Sequence, residues 1–381
     1  MILRIRNAHV LGPADMGHKD ILIINDKIVA IGEGLEVSLP GLEELDAQGK
    51  ICIPGLIDQH VHVTGGGGEG GFATRVPEIQ LSDCIRAGVT SVVGLLGTDS
   101  RTRTVENLVA KVKGLRAEGL SAWCLTGAYE YPSPTVTGSV GKDIVYIEEV
   151  LGVKIALSDH RSSNMSEEDM IRLASEARIA GLLSGKPGIV HIHTGRGKNK
   201  LRMIVDICKN TDIPASVFRP THMREELMED MIELARMGTW LDFTTGGQPD
   251  QTAELMVRAM RRLPAENMTM SSDSNGSMPK WNEHHEMTGM DVGRIATLYE
   301  TVQALVERGV SRERALSFCT VNVAKALNLY PNKGCIAVGS DADVVLLDQD
   351  GAIHTVIARG EMMMKDKKLV KTGTFENARC H

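Results

Sequence analysis

From Ile51 to Leu329 the chain repeats one texture: a short apolar run, a polar break, an amphipathic helix, then the next apolar run. Apolar runs end at His60-Val61-His62 and recur at 91–96, 121–125, 154–157, 189–193, 216–218, 239–243 and 268–270. Helical spacing fills the gaps at 77–87, 105–115, 167–183, 201–208, 225–237, 252–262 and 295–307, with further helix over 311–329. The helix at 167–183 opens on Ser166-Glu167-Glu168-Asp169, a capping box with Asp in the usual Glu position. Parallel strands need long crossovers, usually helices, so this alternation constrains the chain to an α/β fold. About eight such units predict a parallel (β/α)8 TIM barrel over residues 55–331. A doubly wound open sheet, which usually has fewer repeats, is the runner-up.

The flanks have a different character. Residues 1–54 alternate in bursts at 3–6, 21–24 and 28–31, with Asn25-Asp26-Lys27 as a hairpin signal. Residues 332–381 return to β texture at 334–339, 344–347 and 353–359. Both ends are predicted to pair into one small β-sandwich domain flanking the barrel.

In a (β/α)8 barrel, side chains at the C-terminal strand ends converge on one face. His60 and His62 lie two residues apart, so an extended strand aims both imidazoles to one side. Lys154 opens the fourth apolar run, His193 ends the fifth, His222 follows the sixth and Asp273 follows the eighth. A histidine is more often a satisfied polar residue than a ligand. Four of them with a carboxylate and a lysine at equivalent positions point to a metal centre.

Composition narrows the function classes. The chain has 381 residues, a formal net charge of −7 and no basic tract, which argues against nucleic acid as a partner. No apolar run approaches the ~20 residues of a membrane span, and Arg4 and Arg6 interrupt the stretch where a signal peptide needs apolar residues. The seven cysteines, including Cys380, form no C-x-x-C pair and suit a reducing cytoplasm.

Several stretches together resemble the amidohydrolase superfamily, and within it the isoaspartyl dipeptidases. They are Pro54-Gly55 to His62 with the glycine run and Glu69, Val92 to Asp99, and Leu125-Thr126-Gly127-Ala128-Tyr129. Gly152-Val153-Lys154, Ser158-Asp159-His160-Arg161, Pro220-Thr221-His222 and Ser271-Ser272-Asp273 to Ser277 belong to the same set. The resemblance implies two Zn2+ per subunit. His60, His62 and Asp273 would hold one ion and His193 and His222 the other, with Lys154 bridging both as a carbamate made from CO2. It implies hydrolysis of the β-aspartyl bond of dipeptides by zinc-activated hydroxide, with Asp273 moving the proton and Tyr129 donating to the developing oxyanion. It also implies a substrate site of Glu69, Gly67, Thr98, Arg161 and Ser277, and a homo-oligomer, with an octamer among the candidate forms. Relatives carry a further arginine three residues after the sixth-strand histidine. Here Glu225 stands at that position and Arg224 one place earlier. Either Arg224 reaches the site by another path or one carboxylate anchor is lost. Two other readings stand beside this one: an amidohydrolase acting on a cyclic amide or N-acyl amino acid, and a non-catalytic barrel subunit.

Overall fold

The computed structural model describes residues 1–284 and 287–376. Numbered from the amino terminus, the strands that carry the site are β1 (Leu56–Val61), β2 (Val89–Gly94), β3 (Ser121–Gly127), β4 (Val150–Leu157), β5 (Ile189–Thr194), β6 (Phe218–Thr221), β7 (Leu241–Thr244) and β8 (Met268–Ser271). β1 to β6 hydrogen-bond in sequence order as one parallel sheet, and β7 pairs with β8 in parallel. Every residue of β1, β2 and β4 is buried, as expected of parallel strands covered on both faces.

The sheet curls. Met223 N donates to Asp242 O at 3.2 Å between β6 and β7, and His62 N donates to Ser274 O at 2.9 Å between the ends of β1 and β8. A buried carboxylate reinforces these junctions. Asp242 accepts from Gln59 Nε2 (2.6 Å), Thr221 Oγ1 (2.7 Å), Thr269 Oγ1 (2.9 Å) and Ser271 Oγ (2.5 Å), which lie on β1, β6 and β8. Four donors satisfy a group that would otherwise be costly to bury.

Helices Leu81–Arg86, Val105–Ala117, Val140–Tyr146, Glu167–Ser184, Arg202–Asn210, Met228–Arg236, Pro249–Ala259 and Thr297–Glu307 alternate with the strands or follow them. The capping box at Ser166 and Asp169 forms in both directions at 3.1 Å.

The two ends of the chain meet in one nine-stranded sheet. Ile51–Pro54 pairs antiparallel with Val344–Leu347 and so joins the amino-terminal strands to the carboxyl-terminal ones. Leu3, Ile5, Ile21, Ile23, Ile336, Val344 and Ile357 share a core apart from the larger one.

The sequence expectation fails locally in several places. No strand forms at 334–339; turns occupy it, and buried Ile336 packs against Gly12. Lys154 does not open its strand, because β4 starts at Val150 and Lys154 lies within it. The helix expected at 77–87 starts at Leu81. A hairpin of Ser277–Trp281 with Met287–Val292 follows β8 unannounced, since its residues show no clean alternation. Cys380 lies outside the described residues; the other six cysteines are free. Among the described residues no helix is long and apolar enough to cross a membrane.

Candidate active site

The strand period delivers the first two histidines to one point. Nε2 of His60 and Nε2 of His62 lie 3.2 and 3.1 Å from Oδ1 of Asp273, which has no partner of hydrogen-bonding geometry among the described residues. Asp273 is turned inward by a left-handed backbone, φ 55°. Gly276 packs against it so closely that a Cβ there would fall 2.7 Å from Asp273 Oδ1. The buried Asp58 fixes both elements by accepting from His60 N (3.3 Å) and Ser272 N (3.2 Å).

β4, β5 and β6 supply the facing wall. Lys154 is fully buried and its Nζ has no partner among the described residues. His222, also left-handed at φ 63°, sets Nδ1 2.7 Å from Thr244 Oγ1 and leaves Nε2 without a partner among the described residues. His193 has Nε2 2.9 Å from Asp159 Oδ2 and Nδ1 2.6 Å from the Tyr129 hydroxyl. The His193 and His222 rings lie 4.4 Å apart, and the His60 and His222 rings 5.3 Å.

Burial sets the charges. It pushes His60 down to about 3 and His193 to about 4, and holds His222 well below the usual imidazole range. It also pushes the Lys154 ammonium down to about 7, against the opposing pull of Asp273 and Asp242. Burial works to raise Asp273, but His60, His62 and His222 outweigh it and hold the carboxyl well below its usual range. Burial keeps the Tyr129 phenol protonated by raising it well above 10.

Neutral imidazoles, an ionised carboxylate and a readily deprotonated amine are the forms in which these groups ligate a divalent cation. The ligand atoms of His60, His62 and Asp273 lie within 4.8 Å of one another. With the orphaned atoms of Lys154, His222 and Asp273, the donor set fits a metal centre.

Beside it opens a cavity of about 820 Å³. Glu69 is its acidic focus. It accepts from Thr98 Oγ1 (3.1 Å), Ser277 Oγ (2.9 Å) and Arg161 Nη1 (3.1 Å). The Arg161 guanidinium lies over the Tyr129 ring, 5.2 Å from its centroid, and grips Asp159 through Nε and Nη2, each at 2.9 Å. Gly67 lines the wall at φ 80°, where a Cβ would strike Thr74 O at 2.4 Å. The expected residues thus come together.

Arg224 lines the cavity too, but its donors are spent elsewhere. Nη1 donates to Thr194 O (3.0 Å) and His222 O (3.3 Å), and Nη2 to Gly195 O. Asp159, His191, Thr244 and Asp58 join the site from outside the site residues that the sequence points to. His191 Nε2 lies 2.9 Å from His60 Nδ1, so it backs that ring as outer partners of ligating histidines do. Its one available signal was the His191-Ile192-His193 repeat of the His60-Val61-His62 spacing.

The profile of the amidohydrolase family matches residues 51–363. The chain belongs to the amidohydrolase family. A crystal structure of beta-aspartyl dipeptidase from Fervidobacterium islandicum AW-1, in complex with beta-Asp-Leu dipeptide, is 44% identical to this amidohydrolase. The match has a TM-score of 0.92 and covers 97% of this chain and 98% of that one. A D-hydantoinase structure shares the fold at TM-score 0.73 and 19% identity, covering 98% of each chain. An adenine deaminase of Desulforamulus reducens is 24% identical over 375 residues, 93% of this chain but 54% of that protein. The amidohydrolase therefore spans little more than half the length of the first curated relatives it matches.

Proposed function

We propose that this amidohydrolase is a metal-dependent dipeptidase that hydrolyses the β-aspartyl bond. The observation that carries the reading is the Glu69–Arg161 pair in the cavity beside the His60, His62 and Asp273 cluster. A β-aspartyl dipeptide has an ammonium and an α-carboxylate on its aspartyl residue. Glu69 is suited to the first, and Arg161 to the second through Nη1, the donor that Asp159 leaves facing Glu69. Full-length likeness to a dipeptidase that carries beta-Asp-Leu supports the same substrate class.

His60, His62 and Asp273 would hold one zinc ion and His193 and His222 a second, with Lys154 bridging as a carbamate. The ions would supply Lewis acidity, lowering the pKa of water and polarising a carbonyl. The chain's own groups do the rest. Glu69 and Arg161 fix the aspartyl end, so the β-carbonyl rather than the α-carbonyl lies over Asp273. As water adds to that carbon, Asp273 takes its proton. The Tyr129 hydroxyl, turned from His193, donates to the carbonyl oxygen as charge develops. Asp273 then passes the proton to the amide nitrogen as the C–N bond breaks, releasing aspartate and the second amino acid.

The same reading closes β1 to β8 into a (β/α)8 barrel over 55–331 and folds the nine-stranded sheet of 1–54 and 332–381 into a β-sandwich. A cytoplasmic homo-oligomer belongs to it as well; the six cysteines among the described residues are free, which suits a reducing compartment.

The test is a panel of β-Asp-Leu, α-Asp-Leu, an N-acyl amino acid and dihydroorotate. Cleavage of β-Asp-Leu with α-Asp-Leu at least 100-fold slower is expected, since misplacement by ~1 Å costs about that much. Equal turnover of the two isomers would refute the dipeptide assignment, and preference for dihydroorotate would favour a cyclic amide instead.

A further inference from the structure

The loop after β5 presents cations that the aspartyl end of the substrate does not need. Of the arginines lining the main cavity, Arg161 is engaged by Asp159 and Glu69, and Arg258 by Glu225 and Glu254. Arg224 is spent on three backbone carbonyls and lies 3.7 Å from Glu226. Arg196 remains, and among the described residues it forms no ion pair with a carboxylate; neither do Lys198 and Lys200 of the same loop.

These side chains open onto a second, smaller cavity of about 290 Å³. Its lining is Arg196, Gly197, Lys198, Lys200, Arg224 and Glu226, four cations against one carboxylate. Arg196, Gly197, Arg224 and Glu226 also line the main cavity, so the two spaces adjoin. The loop is built rather than draped. Gly195 N donates to Leu157 O at 2.9 Å and Gly197 N to Ser158 O at 2.6 Å. Ser158 Oγ donates to Lys200 O at 2.7 Å. A Cβ on Gly195 would meet Ser158 O at 2.4 Å, so the backbone sits directly on the loop that follows β4.

We propose that this loop is a second anion subsite on the leaving side of the scissile bond, selecting dipeptides whose second residue is acidic. The inference rests on the β-aspartyl dipeptidase reading and narrows its substrate class. The C-terminal carboxylate of the leaving residue takes Arg196. A side-chain carboxylate of Asp or Glu then faces Lys198 and Lys200, whose charges one terminal carboxylate leaves uncompensated.

The experiment compares kcat/KM for β-Asp-Glu with that for β-Asp-Gln, isosteric substrates that differ by one charge. The full-length metal-loaded enzyme is used, with the doubly substituted Lys198→Ala/Lys200→Ala protein alongside. The expected Glu-to-Gln ratio is about 5–10 at low salt, within the range that two exposed ion pairs span, and it falls as salt screens them. In the double variant the ratio falls to about 1. Both lysines are exposed, so folding is spared. A ratio of one or less in the native protein overturns the subsite, as does a high ratio that survives the double substitution. If β-Asp-Leu is not hydrolysed either, the activity reading falls and takes this inference with it; hydrolysis of β-Asp-Leu alone, or equal hydrolysis of β-Asp-Glu and β-Asp-Gln, removes the subsite alone.

Discussion

Asp159→Asn is the substitution that most directly tests how the site is held together. The carboxylate oxygens of Asp159 serve donors only. Oδ1 accepts from Arg161 N (2.8 Å) and Arg161 Nε (2.9 Å), and Oδ2 from Arg161 Nη2 (2.9 Å) and His193 Nε2 (2.9 Å). Burial works against the charge, but the Arg161 and His193 hydrogen bonds outweigh it and hold the carboxyl well below the usual range. An asparagine presents one oxygen and one NH2. Whichever way the amide turns, its NH2 faces two of these donors, so two contacts are lost. Hydrogen bonds to charged groups contribute about 1.5–3 kcal/mol each. A net loss of about 3 kcal/mol corresponds to roughly 100-fold in kcat/KM. The assay is steady-state hydrolysis of β-Asp-Leu, with metal content and a thermal melt measured on the same preparation. Because Asp159 orients both His193 and Arg161, metal content should fall and KM should rise together. A loss under threefold with metal retained would refute the idea that one carboxylate aligns both halves of the site.

Lys154→Ala and Lys154→Arg should both lose most bound metal and activity, because a guanidinium stays protonated and forms no carbamate; elemental analysis with near-normal metal in either would return Lys154 to a structural role. Asp242→Ala removes the acceptor that four buried donors share and should destabilise the fold by about 3–5 kcal/mol; calorimetry would register this as a fall of several degrees in Tm, and an unchanged Tm would contradict the role of Asp242 at the strand junctions. A strong chelator should abolish hydrolysis and added zinc should restore it, with about two ions per chain by titration; full activity in metal-free protein would rule out the metal reading. Arg224→Met should lower Tm and raise KM only modestly, since its donors hold backbone carbonyls; a KM rise above 100-fold with unchanged Tm would make Arg224 the substrate anchor instead.

What the sequence by itself determined is whatever follows from local period and punctuation. A two-residue spacing on an apolar strand points His60 and His62 to one side wherever the strand lies. Strand–helix alternation then brings His193, His222 and Asp273 to the same face, because parallel strands all end on one side of their sheet. The capping box at Ser166 was readable for the same reason: its partners are three residues apart. The tertiary structure alone decided what distant groups do to one another. The sequence leaves open whether Arg224 reaches a substrate carboxylate; folding brings the carbonyls of Thr194 and Gly195 within its reach instead. Asp159 and His191 became partners of His193 and His60 only when neighbouring strands aligned. Lys154 looked like the edge of a strand because Gly152 hides the continuity of β4, yet Val150 and Leu151 extend that strand into the core. Burial and hydrogen-bond partnership depend on packing between segments far apart in the chain, so no local pattern encodes them.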